Sequence, residues 1–134
     1  MHKLVPAFAG ALMVLGMSTA TYATEWMYCS DAADEVQLGF LLGGLDFTQT
    51  SGTTLRVGEE DWSDSPAYGP GKPLALGDFF FDWKMLHASV VDENHETILA
   101  HLRVVLAESD GDDAKGGVLT VPGKGVWAVE CEGP

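Results

Sequence analysis

From Thr24 onward, apolar and polar positions alternate in short runs separated by Gly and turn residues. Val36, Leu38, Phe40 and Leu42 alternate with Gln37, Gly39 and Leu41, the period of two that a strand requires. Gly43-Gly44 follows, then Leu45, Phe47 and Gln49. A two-residue Gly-Gly turn predicts a hairpin with Leu42 opposite Leu45 and Phe40 opposite Phe47. Residues 53–57 form the next predicted strand, and 58–72 read as a long polar connection. The apolar pattern resumes over 74–81 and 84–91. Near the end, 118–121, a loop at 122–125 and 126–131 predict a closing hairpin. Trp127 shares the parity of Val129 and Cys131, which predicts a core position beside the second cysteine. Phe79, Phe80 and Phe81 cannot all face one way in a strand, so at least one ring must face outward.

The segment 97–108, TILAHLRVVLAE, decides the fold class. As a strand it puts Ile98, Ala100, Leu102, Val104 and Leu106 on one wholly apolar face. As a helix over 95–108 it gathers Ile98, Leu99, Leu102, Val105 and Leu106, with Glu93 and Glu96 at a favourable N-terminus. Glu108 and Asp110 would then lie at the negative end of the dipole, and β-branched residues are frequent. The strand reading is the one adopted. It predicts an all-β fold, a small antiparallel sandwich or barrel tied by one disulfide; the helix at 95–108 would make the class α+β.

The first 23 residues follow another pattern. Lys3 precedes an apolar run ending near Met17, and Thr21 and Ala23 occupy the −3 and −1 positions of a cleavage site before Thr24, with a second site after Ala20, where Ser18 is at −3. This is the form of a secretory signal peptide, too short for the roughly 20 residues of a membrane span. The expected organisation is a leader over 1–23 and one exported β domain over 24–134, periplasmic or secreted. In such a compartment disulfides persist, and the chain's two cysteines, Cys29 and Cys131, allow one intramolecular pairing.

Charge narrows the classes of partner. The chain carries 20 Asp+Glu against seven Lys+Arg, a formal net charge of −13. Removing the leader takes away one further positive charge, Lys3. Nucleic acid is an unsuitable partner, because phosphate neutralisation needs clustered Lys and Arg. The 46% hydrophobic share separates the chain from acidic disordered proteins.

Candidate chemistry is sparse. Pairing Val90 with Ile98 would set His87 opposite His101, two imidazoles where a metal site needs a third ligand; a pair of surface histidines is the simpler expectation. Glu108, Asp110, Asp112 and Asp113 supply oxygen atoms without the spacing of a calcium loop, and read as a solvated acidic loop. No serine lies in GxSxG, and Gly123-Lys124 lacks the remainder of a phosphate loop. Neither catalytic residue nor cofactor is expected. Glu59, Glu60, Asp61, Trp62, Asp64 and Tyr68 combine carboxylates with aromatic rings in the 58–72 segment, the pattern of a partner-binding loop. In being small, acidic, disulfide-tied and β, the chain is similar to periplasmic inhibitors of cationic lysozymes, although it carries no inhibitor motif. The sequence therefore predicts a non-enzymatic binding module for a basic protein. The alternatives are an enzyme with a site assembled from distant residues, and an accessory subunit pairing through a sheet edge.

Overall fold

In the computed structural model, which describes residues 10, 24–44 and 47–134, the alternating segments form nine strands: β1 (Glu25–Ser30), β2 (Val36–Gly43), β3 (Gln49–Val57), β4 (Glu60–Ser63), β5 (Lys72–Phe81), β6 (Met85–Asp92), β7 (Ile98–Ser109), β8 (Asp112–Val121) and β9 (Gly125–Glu132). They follow one another around a closed barrel. Neighbours are antiparallel except β4 and β5, which pair in parallel through Trp62↔Lys72 and Ser63↔Pro73. Every strand has a hydrogen-bonded neighbour on both sides, although β4 and β5 share only two residue pairs. The described residues contain no helix, and so none long and apolar enough to cross a membrane. Residues 98–108 of the segment 97–108 lie in β7, which sets aside the α+β alternative. The expected leader over 1–23 lies outside the described residues, Gly10 excepted.

Side chains, not solvent, fill the barrel. Met27 and Cys29 from β1, Leu38, Phe40 and Leu42 from β2, Leu86 and Val90 from β6, and Leu102 and Val104 from β7 are buried together. Each large apolar side chain removed from water stabilises the fold by about 1.5–3 kcal/mol. Phe81 is buried, Phe79 meets Phe40 edge-on at 5.4 Å, and Phe80 faces outward. Trp127 has the predicted inward parity but stands at one end of the barrel, half-buried. There its indole N–H donates to Glu35 Oε2 at 3.0 Å.

Four local expectations are corrected. Phe40 pairs with Thr53 and Leu42 with Thr50, so the β2–β3 connection is longer than a Gly-Gly turn. Phe47 takes a positive φ of 58° there and packs against the core, a plug that a two-residue turn has no room for; Leu45 lies outside the described residues. Residues 58–72 are not one loop: Gly58-Glu59 make a tight turn, Glu60–Ser63 pair with β3, and only 64–71 connect. The β6–β7 register differs by two residues from the expected one, so His87 faces Arg103 and His101 faces Ser89. A bulge at Val90/Val91 takes up Leu99 and leaves Ile98 exposed. Finally, Asp110 and Gly111 both have positive φ and turn β7 directly into β8, the behaviour of an Asp-Gly hairpin rather than a loose acidic loop.

Closure depends on three pairs between β1 and β9: Tyr28↔Glu132, Cys29↔Cys131 and Ser30↔Glu130. The central pair is the disulfide, 102 residues apart in sequence with Cα atoms 4.0 Å apart. Two aspartates fasten the turns between strands. Asp31 Oδ1 accepts the N–H of Val36 at 2.9 Å and of Glu35 at 2.8 Å; Asp92 Oδ1 accepts those of Thr97 at 3.0 Å and Glu96 at 2.7 Å. The Asp31 carboxyl is held below its ordinary value of 3.8, first by the Val36 N–H, with partial desolvation opposing. Asp92 is lowered likewise, first by the Thr97 N–H, with His95 adding a favourable charge.

Replacing Cys29 and Cys131 by Ser should lower the unfolding free energy by about 2–5 kcal/mol in urea titrations; unchanged midpoints would contradict the closure assigned to the disulfide. For the two aspartates, a native value below the unfolded one means stabilisation complete above 3.8 and lost as pH falls through the lowered native value. The stability deficits of Asp31→Ala and Asp92→Ala should therefore be larger at about pH 6 than at about pH 2.5. Deficits that stay constant across that range would contradict it.

Candidate functional site

Parity along β1 that buries Met27 and Cys29 sends Trp26 and Tyr28 outward. Across the ladder, Tyr28 faces Gly39 on β2, and Trp26 faces Leu41. Gly39 in turn faces Thr54 on β3, and Leu41 faces Gly52. The two glycines leave hollows that aromatic rings fill. A Cβ on Gly39 would stand 2.7 Å from two Tyr28 ring carbons, and one on Gly52 would stand 3.0 Å from the ring of Tyr68. Tyr68 arrives from the 64–71 connection. Its N–H donates to Ser65 O at 3.0 Å, and the Ser63 hydroxyl donates to the same carbonyl at 2.6 Å. The connection then passes Asp61 at Gly71, whose φ of 121° and contact with the Asp61 carbonyl leave no space for a side chain.

The three rings form one cluster. Trp26 and Tyr28 stack with centroids 5.4 Å apart and planes 9° apart, and Tyr68 meets Trp26 edge-on at 5.6 Å. Tyr28 keeps 37% of its surface exposed and Tyr68 38%. Beside them runs a groove of about 180 Å³ with Gln37, Thr54, Arg56 and Asp61 along its wall. Arg56 is already engaged: its guanidinium holds Asp34 Oδ1 at 2.6 Å and Asp34 O at 2.9 Å. Asp61, the Cα partner of Arg56, has no ion pair among the described residues. The groove thus offers aromatic faces, a carboxylate, an amide and a hydroxyl. Ammonium and guanidinium groups suit that set through cation–π attraction and charge.

The six residues expected to bind a partner fall into separate places. Asp61 and Tyr68 line the groove; Trp62 touches its wall but turns inward, packed on the core. Lys72 and Lys124 lie 5.5 and 5.9 Å from the Trp62 ring centroid and share Glu60 Oε2 at 3.9 and 3.3 Å. The ring's cation site is filled from within the chain. Glu59 stands exposed on the β3–β4 turn, and Asp64 exposed at the start of the connection. Sequence reasoning missed Trp26, Tyr28, Gln37 and Thr54. Gly39 and Gly52 inside strand patterns were the available signal, since an isolated strand glycine marks close approach by another group.

His87 and His101 lie on the opposite outer face, exposed and offset by two pairs along the ladder. Among the described residues no group of three or more His, Cys, Asp or Glu side chains is placed to hold a metal ion. Comparison of the chain with protein-family models, with curated proteins and with solved structures returns no match.

Gly39→Ala should push Tyr28 off the sheet, because its new methyl would also meet Thr54 Oγ1 at 2.8 Å. The expected result is loss of the near-ultraviolet dichroism of the Trp26–Tyr28 stack, with about 1–3 kcal/mol of stability from overpacking. A native aromatic spectrum in the variant would contradict the packing described.

Proposed function

We propose that the protein is an exported, non-enzymatic binding module whose β1–β4 outer face receives a lysine- or arginine-bearing segment of a basic protein. The observation that carries this reading is the placing in one groove of Tyr28, Tyr68 and Asp61, which has no ion pair among the described residues. The formal charge of −13 supplies the long-range part, steering cations toward the surface. Steering alone is not specific, because exposed charges are screened beyond about 8 Å at physiological ionic strength. The aromatic faces supply the short-range part, at about 0.5–2 kcal/mol per cation. Export is supported by the leader pattern over 1–23 and by the Cys29–Cys131 disulfide, which suits an oxidising compartment.

The reading is tested by titrating the protein with an oligolysine peptide and with the same peptide bearing neutral citrulline side chains. Tyr28→Ala and Tyr68→Ala should each weaken oligolysine binding about threefold or more and raise the dissociation rate. Asp112→Asn, on the remote β7–β8 hairpin, should act only through net charge and be overcome by salt. If all three variants lose affinity equally, or all binding vanishes at physiological salt, the acidity is solubilising and the groove is not a binding site.

A further inference from the structure

On the outer face of β6 and β7, His87 pairs with Arg103 and Ser89 pairs with His101. Alternation along both strands turns all four side chains outward, in a block two residues long and two strands across. Directly opposed side chains in such a block stand about 5 Å apart at Cβ, and diagonal ones about 7–8 Å. The four line a hollow of about 230 Å³ together with Asp78 from β5.

A bulge gives the hollow its floor. Between Leu76 and Phe79 two residues of β5, Gly77 and Asp78, oppose the single Ser89. A Cβ on Gly77 would stand 2.5 Å from Ser89 Oγ, so the close approach needs glycine there. Ser89 Oγ accepts the Asp78 N–H at 2.8 Å, and the residue is left only 7% exposed. The hydroxyl proton has no acceptor among the described residues. Arg103 is also unengaged. Arg56, Lys72, Lys115 and Lys124 each hold a carboxylate, whereas Arg103 forms no ion pair among the described residues, even with Asp78 in the same hollow. In a chain with 20 acids against seven bases, an arginine kept free beside two imidazoles and a buried hydroxyl is a set of donors without an acceptor.

We propose that this hollow binds a phosphate group that retains a proton, either free or as an ester. An oxyanion needs converging donors. Arg103 offers its guanidinium fork, His87 and His101 at least one ring N–H each, and Ser89 a desolvated hydroxyl. Asp78 adds one acceptor at the rim. It repels a fully ionised anion but accepts from a P–OH, so the mixed set selects hydrogen phosphate over sulfate. The cross-strand neighbours Phe80 on β5 and Val118 and Thr120 on β8 carry no charge. The net charge of −13 opposes the approach of an anion from a distance, a field screened beyond about 8 Å at physiological ionic strength. Contact with Arg103 acts at short range, where the Coulomb energy is largest. The hollow shares no residue with the β1–β4 groove, so it stands or falls independently of the proposed cation binding.

Titration of the protein with sodium phosphate and with sodium sulfate at matched ionic strength tests it, at about pH 6, where a phosphate keeps a proton. Side-chain chemical shifts are the readout. The expected result is saturable, phosphate-dependent movement of the His87 and His101 ring protons and the Arg103 guanidinium, with sulfate bound about fivefold or more weakly. Arg103→Gln should weaken phosphate binding about tenfold and Ser89→Ala about threefold. Asp78→Asn should bring the two anions close to equal affinity, and Tyr68→Ala should bind phosphate as the parent does. Thermal melting confirms that each variant folds. Tighter binding of glycerol phosphate than of inorganic phosphate would assign the ligand as an ester, and the reverse would assign the free ion; both support the site. Shifts that do not saturate, sulfate bound as tightly as phosphate by the parent protein, or undiminished phosphate binding by Arg103→Gln would overturn the proposal.

Discussion

Three residue pairs between the first and last strands hold this barrel shut, and the disulfide is the middle one. A meander forms its ladders mainly from neighbours in sequence, but the β1–β9 ladder joins residues about as far apart as the fold allows. Its entropic cost is the largest of any pairing here, and a covalent bond between Cys29 and Cys131 removes most of that cost from the folding step. Everything outward on β1 depends on it. Tyr28 lies next to Cys29 and, like it, belongs to the closing ladder, so the bond that seals the barrel also positions the groove's aromatic wall.

Charge then divides the sealed surface. Turns at both ends carry acids, some fastened into the turn as Asp31 and Asp92 are, others free in solvent. At one end the few cations are used internally: Arg56 holds Asp34, and Lys72 and Lys124 cover Trp62 beside Glu60. This leaves a strongly acidic surface, on which the proposed attraction of basic groups rests. Beside the Trp26–Tyr28–Tyr68 cluster runs the groove proposed for a desolvated contact.

Period-two patterning made the strand content legible, and β7 in particular, because Ala100, Leu102 and Val104 leave no alternative inward face once neighbouring strands exist. The disulfide was legible from the cysteine number taken with the expected oxidising compartment. Register was less so. Phe47, which plugs one end, and Leu99, taken up in a bulge, act through tertiary packing that no local turn rule encodes. The groove was half legible. Asp61 and Tyr68 stood out by residue type, but Trp26 and Tyr28 become site residues only when Gly39 and Gly52 are seen as hollows under rings. Trp62 shows the opposite error of inference: an aromatic beside acids reads as an anchor until the two lysines that cover it are placed, one of them 62 residues away in the β8–β9 turn.

The central claim is that the closed barrel presents one cation-receiving groove on its β1–β4 face. Amide and indole chemical-shift mapping of the isotope-labelled protein during titration with oligolysine addresses it most directly. The account predicts shifts concentrated at the Trp26 indole and the amides of Gly39, Gly52, Asp61 and Tyr68, with those of Val105 and Val118 undisturbed. Shifts spread evenly over the acidic turns, or centred on Glu60 and Trp62, would contradict it.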